Sequence, residues 1–422
     1  MSFFILRALP SAIAALLLSA SQLTMAQETD FSGQIRGLWN TSSANTSSPA
    51  GMVNQLVPGL IAHDTQSGVA EAELHLSGKG ITAIATLQGQ MNDSGNTRAS
   101  GWLNELYAAG GEGAWQYSAG KRVIAWDVGY GFRPNDVVAQ EKRRSLISTT
   151  SIGKPLASVE YFNASSSVSM VWVNPGHAPS TDMAEEQAFA ARVYHRMGSL
   201  DLHGFARYGQ ENGASLGAAA AWVATDEMEL HASLRYLRKN TGLRMSTDSS
   251  ALSNLIQRNS PWQDASQNNA MQVMLGANYT TESQHSFFLE TWWDGTAMSD
   301  RQWQDWTTRN QSLRGSIAYL PQLQKEIGYN LAWQNQALST SGNLRRKNVF
   351  VRWSWQDNGW QPAIDLLWTP EDNGRITTAS LGWQGDRITI NGGIRIYGGP
   401  NKAVMAQLPD SKTAYISATW AF

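Results

Sequence analysis

Between Gly120 and Arg144 the chain places charged side chains, Lys121, Arg122, Arg133, Asp136, Arg143 and Arg144 among them, around a run of glycine and aromatic residues, Trp126-Asp127-Val128-Gly129-Tyr130-Gly131-Phe132. Fixed charges on such a segment can set a local field that sorts solutes by charge. Arg133-Pro134-Asn135-Asp136 is turn chemistry, because proline presets one backbone angle and Asn and Asp bond their own main chain. Segment 122–153 is therefore a candidate for a loop folded inward to narrow a passage. The plainer reading is a long external loop whose glycines and Trp126 only brace a rim.

A second set of charges, Arg36, Glu71, Glu73, Glu105, Arg192, Arg196, Arg207, Arg235, Arg352 and Arg395, falls on the polar face of segments in which polar and apolar residues alternate. If Arg192, Arg196, Arg207 and Arg235 share one wall, they form a basic ladder opposite Glu71, Glu73 and Glu105, a crossed field suited to dipolar or anionic solutes. Ordinary solvation with bracing ion pairs is the competing reading. Catalytic chemistry has little to work with. The chain has no cysteine, which removes thiolate nucleophiles and disulfides, and its seven histidines are scattered singly. No nucleophile motif stands near His75, His195, His203, His231 or His285, so no enzyme activity and no cofactor or resident metal are expected, with Ca²⁺ in acidic loops left open. Trp262, Trp303 and Trp306 lie in connections, where they could face sugars, but packing of loop on loop is favoured.

The elements that position these residues read as strands. Phe31, Gly33, Ile35, Gly37 and Trp39 oppose Ser32, Gln34, Arg36 and Leu38; Met228, Leu230, Ala232, Leu234 and Tyr236 oppose Glu229, His231, Ser233 and Arg235. Such period-2 segments recur along the chain, each about ten residues long, the length a tilted strand needs to cross a bilayer. The 18 tryptophans often end the apolar face, as interfacial girdles do. No helical-period apolar stretch stands out after residue 26. About 20 segments can be drawn, two of them beginning near residues 311 and 324, with the short connections (Pro321-Gln322-Leu323 among them) falling at every second position. The intervening connections are mostly longer: 40–68, 122–153, 175–185, 240–268, 296–310, 336–345 and 398–412. A polar face on every strand rules out spanning helices, and in hydrocarbon an open sheet edge leaves backbone groups unpaired at several kcal/mol each. The fold expected is all-β: a single transmembrane antiparallel up-and-down β-barrel of about 18–20 strands, or about 16 if weak segments merge, with short periplasmic turns and long extracellular loops.

Both ends of the sequence agree. Residues 1–26 have a basic start, an apolar run and a small-residue site at Thr24-Met25-Ala26, the layout of a cleaved secretory signal, with 27–422 as the barrel. Only Gln27 to Asp30 lie between that site and Phe31, so no large N-terminal plug is expected. The last segment, 413–422, alternates Ala414, Ile416, Ala418, Trp420 and Phe422 against Thr413, Tyr415, Ser417, Thr419 and Ala421. It resembles the C-terminal targeting strand of Gram-negative outer-membrane proteins, which ends on Phe. That resemblance implies the cell outer membrane as location, with lipid, lipopolysaccharide and the barrel-assembly machinery as partners, the last through Phe422. Segment 120–138, with its Gly-Lys strand, its Trp126 turn and its Pro134-Asn135-Asp136 step, resembles part of several porin-like families, the alginate-export-like barrels among them, although Asp127 stands where a Gly is common. A barrel this wide leaves an aqueous lumen, so with its crossed charges the chain is expected to be a porin-like channel for small hydrophilic solutes, anions among them, while the alginate-export resemblance implies export. The alternatives are an export outlet for a polymer or small product, and a surface structural or adhesion barrel. A net charge of −2 with no basic block gives no sign of a nucleic-acid partner. The solute, the direction of flux and the choice of monomer or trimer are not legible.

Overall fold

The computed structural model describes residues 29–61, 63–93, 95–138, 151–178, 182–245, 255–256, 258–340 and 342–422. The expected signal segment and the candidate residues Arg143 and Arg144 lie outside these residues. Eighteen strands follow one another along the chain: β1 (Thr29–Ala44), β2 (Gln66–Gly78), β3 (Ile81–Asn92), β4 (Thr97–Glu112), β5 (Trp115–Arg122), β6 (Lys154–Phe162), β7 (Ser166–Val173), β8 (Ala188–Met197) and β9 (Leu200–Gly209) make the first half. The second half is β10 (Gly213–Val223), β11 (Met228–Met245), β12 (Trp262–Thr280), β13 (His285–Asp294), β14 (Lys347–Trp355), β15 (Trp360–Thr369), β16 (Gly374–Gln384), β17 (Ile388–Gly398) and β18 (Asp410–Ala421). Each strand pairs antiparallel with its chain neighbours, and β18 pairs with β1, so the sheet closes on itself. At the seam Ile35 faces Trp420 and Arg36 faces Thr419, and Gly33 and Phe422 exchange two backbone hydrogen bonds of 3.0 Å.

The pleat separates two surfaces. Leu216, Leu234, Leu275, Phe287, Leu289, Ile364, Ile394 and Ile416 point outward and are exposed, whereas their alternates Ser215, Ser233, Met274, Glu290, Thr378, Thr413 and Ser417 point inward and are buried. Exposed tryptophans and tyrosines stand near both ends of the apolar band: Trp115, Trp222, Trp360 and Trp420 at one, Trp39, Trp172, Tyr208 and Trp368 at the other. Connections at the first end are short throughout (79–80, 113–114, 163–165, 198–199, 224–227, 281–284, 356–359 and 385–387). The second end carries the long ones, interrupted by the brief turns 93–96, 210–212 and 370–373. Both described chain ends lie at the short-turn end, as an even strand number requires.

Eighteen strands lie within the 18–20 expected, and two of the 20 segments drawn are not strands. The segments near 311 and 324 are helices, and so is the supposed short turn between them. One connection, 295–346, holds α2 (Asp300–Tyr319) and α3 (Gln324–Thr340), joined by a 3₁₀ turn at Pro321–Leu323; a shorter helix, α1 (Pro49–Leu56), lies between β1 and β2. Leu313, Ile317 and Tyr319 fit a two-residue period, but Trp306, Leu313 and Ile317 also fit a helical one, and the core uses the latter. The start signal is a capping box: Ser299 accepts from the Gln302 amide while the Gln302 side chain accepts from the Ser299 amide. The hairpin also corrects the expectation that no helical period follows residue 26, which failed because its faces are too polar to show a stripe. Among the described residues no helix is long and apolar enough to cross a membrane. Trp303 and Trp306 are buried at 2% and 1% exposure, packed edge to face at 5.4 Å, and Trp306 Nε1 donates to the Gln334 carbonyl at 2.9 Å. They therefore build the helical unit, as does the buried Trp262.

Removing one of these rings tests whether helices and barrel are separate units. Trp306→Ala should cost the helical unit about 3–5 kcal/mol. Limited proteolysis should then cut within 295–346 while the barrel keeps its folded, heat-modifiable mobility on a gel.

Candidate functional site

Between β5 and β6 the chain turns into the barrel. Residues 123–138 run along the inner wall, and two kinds of contact hold them there. Ile124, Trp126, Val137 and Val138 form one buried cluster with inward-pointing Leu156 on β6, Val171 and Val173 on β7, Ala188 and Ala190 on β8, Phe205 on β9 and Ala219 on β10. Apolar residues on an inward face make sense only under such a cover, since they would otherwise meet water. Beyond them the segment reaches β10–β13 through polar groups. Asn135 Nδ2 donates to Ser233 Oγ (2.8 Å) and to the Leu234 carbonyl (3.1 Å), and Ser233 Oγ donates to Asp127 Oδ1 (2.7 Å). Arg235, fully buried, donates from Nη1 to the Pro134 carbonyl (2.9 Å) and from Nη2 to Ser215 Oγ (3.0 Å).

Glu290 on β13 closes the network. Its carboxylate accepts three successive backbone amides, those of Tyr130 (2.7 Å), Gly131 (2.6 Å) and Phe132 (3.2 Å), and His231 Nε2 lies 3.0 Å from Oε1. Charge-assisted bonds of this kind are about twice as strong as neutral ones. The arrangement needs bare backbone: a Cβ on Gly131 would stand 2.7 Å from Glu290 Oε2, one on Gly276 2.0 Å from His231 Nε2, and one on Gly217 1.8 Å from Asn135 Oδ1. Phe132 stacks on Trp292 at 5.7 Å, and Tyr130 meets Phe288 edge-on at 5.3 Å. Within the segment, Asp136 Oδ1 accepts the Trp126 and Asp127 amides, Asp127 accepts the Asn135 and Val128 amides, and Arg133 Nε donates to the Gly129 carbonyl. Burial raises the pKa of Asp127 and of Asp136 above the ordinary value, against the lowering effect of these amide donors.

The candidate residues divide by what surrounds them. Trp126, Arg133 and Asp136 lie in the docked segment, Arg133 Nη1 standing 3.6 Å from Asp136 Oδ2, so these two charges brace the turn. Lys121 does not join them: it shares the outward face of β5 with Trp115 and Tyr117 and donates to the Leu103 carbonyl. Arg122 lies on the inner face of the strand before the segment, bonded to Ser118 and over the Tyr107 ring at 4.9 Å, and Glu105 accepts the Val123 amide where the segment begins. The basic ladder also needs correction. Arg207 pairs with Glu186 at 2.6 Å with both buried, Arg235 is sealed under the docked segment, and Arg196 bonds the Gly198 carbonyl at the short-turn rim. Of that set, Arg192, over the Tyr194 ring, and Arg196, at the rim, are the two that no described loop covers. Charge spacing alone could not show that two of the four are covered by loops.

The accessible charges gather on the other wall. Arg352 on β14 faces Asp365 on β15 at 3.0 Å, Asp365 faces Thr378 on β16, and Thr378 faces Arg395 on β17, whose Nε donates to Thr378 Oγ1 at 3.0 Å. Arg36 on β1 pairs with Glu71 on β2, while Glu73 binds Gln34 and His75 and is itself buried. The glutamates are therefore less exposed than the arginines: Arg352 keeps 43% of its side chain accessible and Arg36 17%, against 5% for Glu71. Glu290, Asn135, Asp127 and Ser233, which hold the docked segment, were not among the selected sites. Glu290 could be recognised only as an inward charge, since the amides it binds are 158–160 residues away and His231 is 59.

Two substitutions test the docking. Glu290→Ala leaves three amides and His231 without their acceptor; at about 1.5–3 kcal/mol for a hydrogen bond to a charged group, 123–138 should become protease-sensitive in the folded barrel. Gly217→Ala should do the same by displacing Asn135. Full protection of 123–138 in both variants would show that the apolar cluster alone suffices.

No family model and no curated relative matches the chain, so the likeness to alginate-export barrels rests on the residues quoted for it. Among solved structures, one mutant of Rhodopseudomonas blastica porin is 10% identical with a TM-score of 0.44, covering 93% of this chain and 100% of that one. Another mutant of the same porin is 11% identical, with the same score and coverage. A chain described as "Asymmetric conductivity of engineered proteins" is 10% identical with a TM-score of 0.43, covering 94% and 100%. It is the strand pairing, rather than these overlaps, that establishes the closed 18-stranded barrel.

Proposed function

We propose that the chain is an outer-membrane channel for small hydrophilic solutes, with anions favoured over cations. A continuous exposed band of Leu, Ile, Val and Phe, rimmed by aromatic rings, suits a barrel set in lipid, because in water so large an apolar surface would drive aggregation. A closed sheet pairs every strand edge, which hydrocarbon demands. The expected signal segment and terminal Phe422 point to the outer membrane.

The observation that carries the reading is segment 123–138 docked inside the barrel. It occupies the β6–β13 wall and leaves Arg36, Arg352 and Arg395 accessible on the opposite side. A wide lumen narrowed by a pinned segment and faced by arginines selects by size and by charge at once. A structural or adhesion barrel has no need of accessible charge on an inner wall. An export outlet would use the same passage and differ in the direction of net flux.

Single-channel recording of the refolded protein in planar bilayers tests this. The intact protein should give a small, anion-preferring conductance. Replacing 123–153 by a short turn should enlarge it and weaken the preference. Arg352→Gln combined with Arg395→Gln should move the reversal potential under a salt gradient toward cations without enlarging the pore. Absence of conductance in both the intact and the shortened protein would overturn the channel reading.

A further inference from the structure

Where the docked segment meets the arginine-bearing wall, the inner face carries three aromatic rings that packing does not fully cover. Phe288 on β13 and Phe350 on β14 share the inward face with Glu290 and Arg352, which stand opposite them across the two strands. Both rings keep an intermediate exposure, and they meet edge to face at 5.8 Å. Tyr130 of the docked segment stands over Phe288 at 5.3 Å and is itself 46% exposed, whereas Trp126 of the same segment is 6% exposed. Rings that served only to hold the segment would be covered as Trp126 is, because apolar surface left in water costs free energy. These three instead present ring surface to the passage.

Arg352 lies directly across from Phe288, a spacing of about 4.5–5.5 Å between Cβ atoms. It gives Asp365 only its Nη1, at 3.0 Å and 3.2 Å from the two carboxylate oxygens. Among the described residues its Nε and Nη2 have no partner, and 43% of the side chain is accessible. Those two nitrogens form one edge of the planar guanidinium, which matches the two oxygens of a carboxylate. The carboxylates on the other side of the rings are already engaged. Glu290 holds three amides and His231, and Glu229 accepts the Tyr130 hydroxyl. The site therefore offers ring surface and hydrogen-bond donors.

The register sets it within the passage. Arg395, Thr378, Asp365, Arg352 and Phe288 lie on one row across five strands. Strands in a barrel tilt, so such a row descends. Arg395 is three residues from the long-loop end of β17, and Phe288 is three residues from the short-turn end of β13. An anion that follows the arginines is brought down onto the rings.

We propose that Arg352, Phe288, Phe350 and Tyr130 form a binding position for an aryl carboxylate, a carboxylate carried on an apolar ring; the inference rests on the channel reading and names its solute class. The carboxylate takes Nε and Nη2 of Arg352, and the ring lies against the three aromatic side chains. A sugar acid of the same charge brings hydroxyls that need acceptors as well as donors, and a small inorganic anion leaves the rings unused.

Benzoate is the probe, added to the refolded protein in a planar bilayer and read as interruption of the open-channel current. Each variant's current before addition is its own reference. Benzoate should block, and glucuronate and acetate at the same concentration should not. Phe288→Leu and Phe350→Leu should each raise the half-blocking concentration about tenfold. Arg352→Lys, which keeps the charge and loses the planar edge, should raise it about tenfold as well. Equal block by glucuronate or acetate, or block unchanged in any of the three variants, overturns the proposal. A conducting protein that benzoate does not block also overturns it and leaves the channel reading standing. Saturation-transfer NMR of benzoate with the detergent-folded protein needs no current, so it reads the site even where the channel reading fails. Transfer to the benzoate ring protons should fall in the Phe288→Leu, Phe350→Leu double variant, and equal transfer overturns the site.

Discussion

Closure of the sheet is the constraint from which the rest follows. Pairing β18 with β1 removes the last free edge, and backbone groups in hydrocarbon have no other partner. Closure at 18 strands also fixes a circumference, and the interior is then too wide for the wall's own side chains to fill. That width has to be managed by connections. The β5–β6 connection goes in, the β13–β14 connection packs its helices with α1 and the β11–β12 connection at the long-loop end, and the β7–β8 connection is drawn down to Arg207. The inner wall is written accordingly: apolar where a segment covers it, as at Val171, Val173 and Phe205, and charged where water remains, as at Arg352 and Arg395.

Two carboxylates recur as fasteners, each acting over bare glycine. Glu290 reaches from the wall to the amides of the docked segment, beside Gly131. Glu186 reaches from a connection to Arg207 and two amides, over Gly209, where a Cβ would come within 2.1 Å of its Oε1. A buried carboxylate with several donors is strongly held, and removing it leaves every donor unsatisfied. In both places, loop geometry depends on one acid and on the absence of one methyl group.

The wall was legible because alternation is a local property. Phe31 to Trp39 or Met228 to Tyr236 declares which side faces lipid without reference to any other strand, and short turns at alternate connections gave the parity. The docked segment was legible in outline through its glycines, Trp126 and the turn at Arg133 to Asp136. The rest depended on long-range partners. Arg207 and Arg235 look like free lumen charges until Glu186 and Pro134 are brought to them by loops. Lys121 was placed by proximity in sequence to the loop, whereas the pleat turns it outward. The α2–α3 hairpin was missed because its buried face mixes Arg309, Asn310, Asn330 and Gln334 with Leu and Trp, so that neither period dominates over 300–340.

The same closure has a meaning in time. Every strand but one can pair with a neighbour that precedes it in the chain, so the wall can grow as a series of hairpins. The seam between β1 and β18 is the exception: Gln34 must wait for Ala421, nearly the full length of the polypeptide away. Contacts of such separation form late, because the intervening chain must be ordered first. Until then β1 keeps one side open as a template, able to accept whatever strand is presented to it. The most exposed moment of this molecule is thus the interval before its final strand arrives, and the pairing that ends it is made by the last residues of the sequence.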